Sequence, residues 1–484
     1  MESTIPCNPV NPVCNQTDGS HPPKYRALLL FLMTSLYFGA SYVYDLPQAL
    51  QTQLQAEPLN LSYVQFDALY SVYSSPNIFL PFVGGFIINF IGIKVSTLIF
   101  TFFVFGGMVL FTVGVSDASY NTMLWGRLIY ALGAESLSVA QSIIAVKWFS
   151  SKELTLVLGW NNCVCYFGSN LNVALSPLIY ALSSKLWLPC VVGTIFCLFS
   201  FLAAAVYAIV DGVIHKSRDH STAEPKFEEH KIKWKDIKVI SIVFWFLVLY
   251  YMIFYLAFDG VTTNLNDQIH QRFGFTNTVA GYLVLIYYIQ LVIVPPIIGR
   301  IADKYGKRAH WLMGVGFICM IAQFLMGVLP DQEKNGYIVI LPLLLFGFSD
   351  GVFETVTWSC LLLSLDPNMT AIGFGFATCA MNTVNVFGML LIGTIQDATI
   401  DNKYGYYWSQ MFLVAVSFIA MSLAFVVIIF DHKRGGKLAS PLIDDEANYL
   451  ESRGENNQAK SPEEANLLNI EGEAADTTKQ DYTL

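Results

Sequence analysis

The sequence predicts an all-α integral membrane protein, with twelve transmembrane helices arranged as two pseudo-symmetric six-helix halves. Three observations predict it. Of the 484 residues, 54% are hydrophobic and only 13% charged, with a mean hydropathy of +0.50, which excludes an ordinary water-soluble domain. Apolar runs of roughly 20 residues, the length a helix needs to cross hydrocarbon, recur along the chain. A loop pattern Gly-x-x-x-(Asp/Asn)-x-x-Gly-x-(Arg/Lys) occurs twice between such runs. It is complete at Gly299, Asp303, Gly306 and Arg308, and weaker at Gly85, Asn89, Gly92 and Lys94.

In chain order, a Pro-rich polar segment (1–24) precedes the first span, and no short apolar region with a small-residue cleavage site marks a removable signal peptide. The first half (25–210) holds spans near Tyr25–Tyr44, Phe66–Phe90, Val95–Val115, Met123–Ala145, Leu154–Leu182 and Trp187–Val210. A polar linker (211–238) separates it from six further spans (239–430), and an acidic tail (431–484) of disordered composition closes the chain. Lys and Arg fall mostly on alternate loops: Lys24, Arg26, Lys94, Lys147, Lys152, the linker, Arg300 to Arg308 and Lys433 to Lys437 on one side, against Lys185, Arg272, Lys334 and Lys403 on the other. The positive-inside rule then places both termini in the cytosol. The net charge of −9 says little about partners, because much of it sits in the tail.

Polar residues at mid-membrane depth are the candidate site. Glu135, near the centre of the fourth span, costs a few kcal/mol there unless it meets water, a partner or a proton; the partner can be Arg127, two helical turns away. Asp350 and Glu354 lie four apart on the tenth span, on one helical face. Two close carboxylates resist double ionisation, so the pair can hold a proton or attract a cation, or hydrogen-bond groups freed beside Gly351. Tyr250, Tyr251, Tyr287, Tyr288, Gln290, Asn382 and Asn385 offer neutral hydrogen bonds at similar depth. Asn161, Asn162, Tyr166, Asn170 and Asn172, with Gly168 and Pro177, make the fifth span polar enough to line a cavity. The glycines of the repeated loop turn the chain at the membrane face, and its acid and cations can latch one half against the other.

The repeated loop resembles the signature of the major facilitator superfamily, which joins the second and third helix of each half. Phe38–Gln53, Leu69–Asn77, Gly126–Gln141, Trp148-Phe149 with Lys152-Glu153-Leu154, and Gly159 are similar to the lysosomal dipeptide transporter branch of that superfamily. The resemblance implies passive export of dipeptides, including ones with cationic side chains, from lysosomal lumen to cytosol. It puts Glu135 at the peptide amino group, with Tyr44, Tyr73 and Gln141 in the same motifs. The branch pattern has an arginine for the peptide carboxylate just before the Gly-Ser of the fifth span, where this chain has Tyr166-Phe167-Gly168-Ser169; the carboxylate contact is left unassigned. Asp350 and Glu354 are additional to the pattern.

Glu463-Glu464-Ala465-Asn466-Leu467-Leu468 fits an acidic dileucine sorting signal read by adaptors, and Asn60-Leu61-Ser62 is a glycosylation sequon on the non-cytosolic side. Relatives can depend on a heavily glycosylated single-span partner, which is the accessory subunit to expect. A proton-coupled carrier of other small organic solutes and a non-transporting nutrient sensor remain open, because fold does not determine substrate. An enzyme is not expected: there is no nucleophile–base pairing and no Gly-rich nucleotide loop. Nor do the nine cysteines show metal spacing. No cofactor and no nucleic-acid partner are expected.

Overall fold

The computed structural model describes residues 23–149, 151–216, 240–331, 336–365 and 370–440. Residues 1–22, 217–239 and 441–484, and with the last Glu463, Leu467 and Leu468, lie outside the described residues. All regular structure among those described is helical, the arrangement that satisfies every backbone N–H and C=O within its own segment where no water reaches.

The first half comprises α1 (Pro23–Tyr44), single turns α2 (Leu46–Ala49) and α3 (Gln51–Leu54), then α4 (Tyr63–Asn77), α5 (Leu80–Ile91), α6 (Ile93–Ser116), α7 (Tyr120–Trp148), α8 (Ser151–Ser183) and α9 (Trp187–Lys216). The second comprises α10 (Ile242–Thr262), α11 (Leu265–Phe273), α12 (Asn277–Tyr305), α13 (Arg308–Val328), a 3-10 turn (Gly336–Val339), α14 (Ile340–Leu363), α15 (Thr370–Ala398) and α16 (Tyr406–Lys433). Among the described residues, ten helices are long and apolar enough to cross a membrane. The other two of the expected twelve are α8, diluted by asparagines, and the second span, which is broken into α4 and α5 rather than running unbroken from Phe66 to Phe90. Pro76 lies at the end of α4 and Pro81 in the first turn of α5. Proline has no N–H for an interior turn but is tolerated in a first one. The short α11 and the two single turns, which follow the first span of each half, were not legible in hydropathy.

Within the first half α6 packs on α7 and α9, and α1 on α8 and α9; within the second, α16 packs on α10 and α13, and α12 on α14. The halves meet along two seams, α4 against α15 and α8 against α12. In lipid no hydrophobic driving force pulls helices together, so close approach through small residues does that work. Each seam has its glycine. A Cβ at Gly393 would lie 2.8 Å from Val64 Cα, and one at Gly281 would lie 2.6 Å from the Val173 carbonyl oxygen. Phe31, Phe102, Ile209 and Phe418 are exposed on the bundle, at no cost where the surroundings are lipid.

Candidate functional site

Glu135 sits on α7 and accepts a hydrogen bond from the Tyr73 hydroxyl of α4 at 2.9 Å. The Tyr73 ring packs against Tyr44 and Tyr130, with centroids 5.1 and 5.4 Å away. Arg127 is not committed to Glu135. Its guanidinium donates to the carbonyls of Leu69, Val43 and Tyr44 at 3.3, 3.4 and 3.3 Å. Its Cζ lies 5.0 to 5.9 Å from the rings of Tyr44, Tyr70, Tyr73 and Tyr130. Four aromatic faces and three carbonyls surround this buried cation, and the acid within its electrostatic reach is Asp45, so Glu135 is left to another partner.

In the second half Asp350 accepts the Tyr287 hydroxyl at 2.7 Å, and Glu354 accepts the Trp358 indole N–H at 3.3 Å. Asp350 Oδ1 is buried without a hydrogen-bond partner. The Tyr251 ring packs on Phe353 and Trp358, with centroids at 5.6 and 5.4 Å. Tyr251 lies within electrostatic reach of Glu354, Glu135, Tyr166 and Asp350 at once, so carboxylates from both halves gather about one place in the bundle. The other candidates are more committed. Gln141 joins α1 to α8, donating to the Met33 carbonyl and accepting from Asn161. Gln290 donates to the carbonyls of Ile286 and Leu343, and Asn382 to that of Thr378. Asn385 donates to Asp259 at 2.9 Å, and Tyr288 to Gln48 of the other half at 3.2 Å.

At one end of the bundle lies the repeated loop. Gly306 (φ 61°) and Lys307 (φ 52°) make the turn into α13, Gly299 lies on the last turns of α12, and Arg308 pairs with Asp303 at 3.0 Å. Arg308 also donates to the Ser440 carbonyl, and the backbone N–H groups of Lys307 and Arg308 to Ala439 and Leu438. The complete copy thus grips the segment that follows its own last helix. In the weaker copy Lys94 pairs with Asp211 of α9 at 2.9 Å, and Lys147 joins it at 3.2 Å, so an acid from another helix stands in where the pattern has Asn89.

At the opposite end the halves are hydrogen-bonded to each other. Gln51 donates to Asn264 at 2.6 Å, Asn264 to Asp67 at 3.2 Å and Asn266 to the Ala49 carbonyl at 3.3 Å. The Thr52 hydroxyl reaches Asp267 and Asn277. The backbone N–H groups of Tyr63 and Val64 donate to the two oxygens of Asp397 at 2.8 and 3.0 Å. Sequence reasoning missed Asp267, Asp397, Asp259, Asp45 and the cage of Arg127. One signal was available: an aromatic–Asp pair, Tyr44-Asp45 and Phe258-Asp259, lies near the end of the first span of each half.

Residues 28–389 match the sequence model of the Major Facilitator Superfamily. The chain is 29% identical over 432 residues to the Homo sapiens lysosomal dipeptide transporter MFSD1, covering 86% of this chain and 88% of that protein. It is 30% identical over 434 residues to the Mus musculus protein of that name, with the same coverage. Among solved structures, the nucleoside transporter NupG superposes with a TM-score of 0.63 at 13% identity, covering 83% of this chain and 98% of that one. The peptide transporter POT in complex with sulfate gives 0.63 at 13%, covering 88% and 97%; at such identity these two bear on the fold alone. By the sequence match, and with the helical architecture in agreement, the chain belongs to the Major Facilitator Superfamily.

Proposed function

We propose that this chain is a lysosomal membrane transporter that exports dipeptides from lumen to cytosol by alternating access, as a uniporter rather than an enzyme. Glu135 carries the reading. It is a mid-membrane carboxylate held by one tyrosine hydroxyl while the nearest arginine is caged elsewhere, in a chain similar over most of its length to proteins named lysosomal dipeptide transporters. A peptide ammonium group supplies the charge this carboxylate lacks. Tyr44, Tyr73, Gln141 and Tyr166 flank it from the first half. Asp350, Glu354, Tyr287, Tyr288, Gln290, Asn382 and Asn385 face it from the second, the two acids taking a cationic side chain.

In this reading the halves are 25–210 and 239–430, joined by a cytosolic linker, with both termini in the cytosol. Gly299, Asp303, Gly306 and Arg308 form the cytosolic gating loop, which acts by holding the segment 438–440. The hydrogen-bonded end then faces the lumen. Asn60 is exposed in the loop between α3 and α4, where it can carry a glycan. Glu463, Leu467 and Leu468 are the sorting signal for adaptors, and a glycosylated single-span subunit is the accessory partner.

The test is thermal stabilisation of the purified protein by cationic, neutral and acidic dipeptides, with free amino acids and sugars beside them. Ligand that binds only the folded state raises stability by mass action, about 2.7 kcal/mol at a hundred times Kd. Dipeptides should stabilise the wild type and lose most of that effect in Glu135→Gln. A response confined to other solutes, or equal in both proteins, discards the substrate and the role of Glu135.

A further inference from the structure

Four of the hydrogen bonds between the halves go to two carboxylates of the second half, Asp397 at the end of α15 and Asp267 on α11. Asp397 does what a capping residue does, but from across the seam. α4 has four N-terminal N–H groups with no partner inside the helix. Ser62 and Gln65 satisfy two of the first-turn amides through a reciprocal capping box. The next two, on Tyr63 and Val64, donate to Asp397 at 2.8 and 3.0 Å. A carboxylate at that place also faces the positive end of the helix dipole. The α4 N-terminus is therefore complete only while the two halves are together.

Asp267 is a second hub, fully buried. It accepts the Tyr406 hydroxyl of its own half at 2.6 Å and, from the other half, meets Tyr63 at 3.5 Å and the Thr52 hydroxyl. Its helix is fixed in place by buried Arg272, which binds Asp331 at 2.8 Å and the Leu329 carbonyl at 2.7 Å. Around these hubs the seal is made of amides: Gln51, Asn264 and Asn266 bond across it, while buried polar atoms of Gln51, Asn266 and Asp67 are left without a protein partner. An apolar interface would cost its whole buried area to part. A seal of hydrogen bonds exchanges them for bonds to water, each at a small net difference.

We propose that Asp397 and Asp267 are the positioning residues of a reversible gate, closing the end of the bundle opposite the signature loop by capping α4 and gathering Thr52, Tyr63 and Tyr406. The proposal concerns the conformational cycle and holds whatever the substrate. Its test is hydrogen–deuterium exchange on the purified full-length protein without added ligand, comparing wild type with Asp397→Asn and, separately, Tyr406→Phe. Amides of 46–66 and 263–276 should exchange roughly ten- to a hundredfold faster in Asp397→Asn, the equilibrium factor of one lost charge-assisted hydrogen bond, and less so in Tyr406→Phe. Amides of 299–308 should stay as slow or become slower, because opening at one end closes the other. Unchanged exchange at the gate in both variants overturns the proposal. So does equal acceleration at both ends, which is general loss of stability, and so does fast gate exchange in the wild type itself.

Discussion

At the scale of single residues, what distinguishes this bundle is how its charges are neutralised. Arg127 is held by tyrosine rings and carbonyls, whereas the partners of Glu135, Asp350 and Glu354 are the neutral donors Tyr73, Tyr287 and Trp358. Neutral donors offset only part of the cost of a membrane carboxylate, so these three remain open to a proton or a ligand cation. Replacing Asp350→Asn and Glu354→Gln together should lower the preference for lysine-containing over neutral dipeptides by roughly ten- to a hundredfold, the range for one lost charge-assisted bond, as read from competition for uptake. If the pair instead binds a proton, the same double variant flattens the pH dependence of uptake. Preference and pH dependence both unchanged would leave these acids holding Tyr287 and Trp358 in place and nothing more. The carboxylates were legible in the sequence because an acid inside an apolar run stands out. Arg127's cage was not, because its tyrosines come from three separate helices.

At the scale of elements, the short α11 and the α4–α15 seam decide how the halves meet. Burial holds the Asp267 carboxyl above its usual range, against the opposing hydrogen bonds from Thr52 and Tyr406 and the nearby His270. The closed end therefore binds this proton more tightly than an opened, hydrated end would. That contribution to closure is fully present below the ordinary carboxylate range and is lost as pH rises through the raised value. Protection of 263–276 against exchange, corrected for intrinsic pH dependence, should accordingly fall as pH rises, and Asp267→Asn should remove the slope; a slope of opposite sign would exclude Asp267 as the group responsible. Hydropathy could not reveal this element. α11 is polar and buried, and its partners Thr52, Tyr63 and Tyr406 lie far from it in sequence, so only tertiary packing, within the second half for Tyr406 and between the halves for Thr52 and Tyr63, brings them together. The break between α4 and α5, by contrast, was written in Pro76 and Pro81.

At the scale of the whole molecule, an all-helical bundle follows from a bilayer that admits only helices with internally satisfied backbones, which is why composition and one repeated loop were enough to reach the fold class. The seams are drawn close by Gly281 and Gly393, and one end of the bundle joins the two halves by hydrogen bonds; in the proposed function these halves part and rejoin about Glu135. The most direct measurement is counterflow of a labelled lysine-containing dipeptide into proteoliposomes preloaded with unlabelled dipeptide, for wild type and Glu135→Gln. The expected result is rapid exchange by the wild type, without a pH gradient, and loss of most of it in the variant. Binding without exchange would instead describe a sensor, and exchange that persists undiminished in Glu135→Gln would contradict the site.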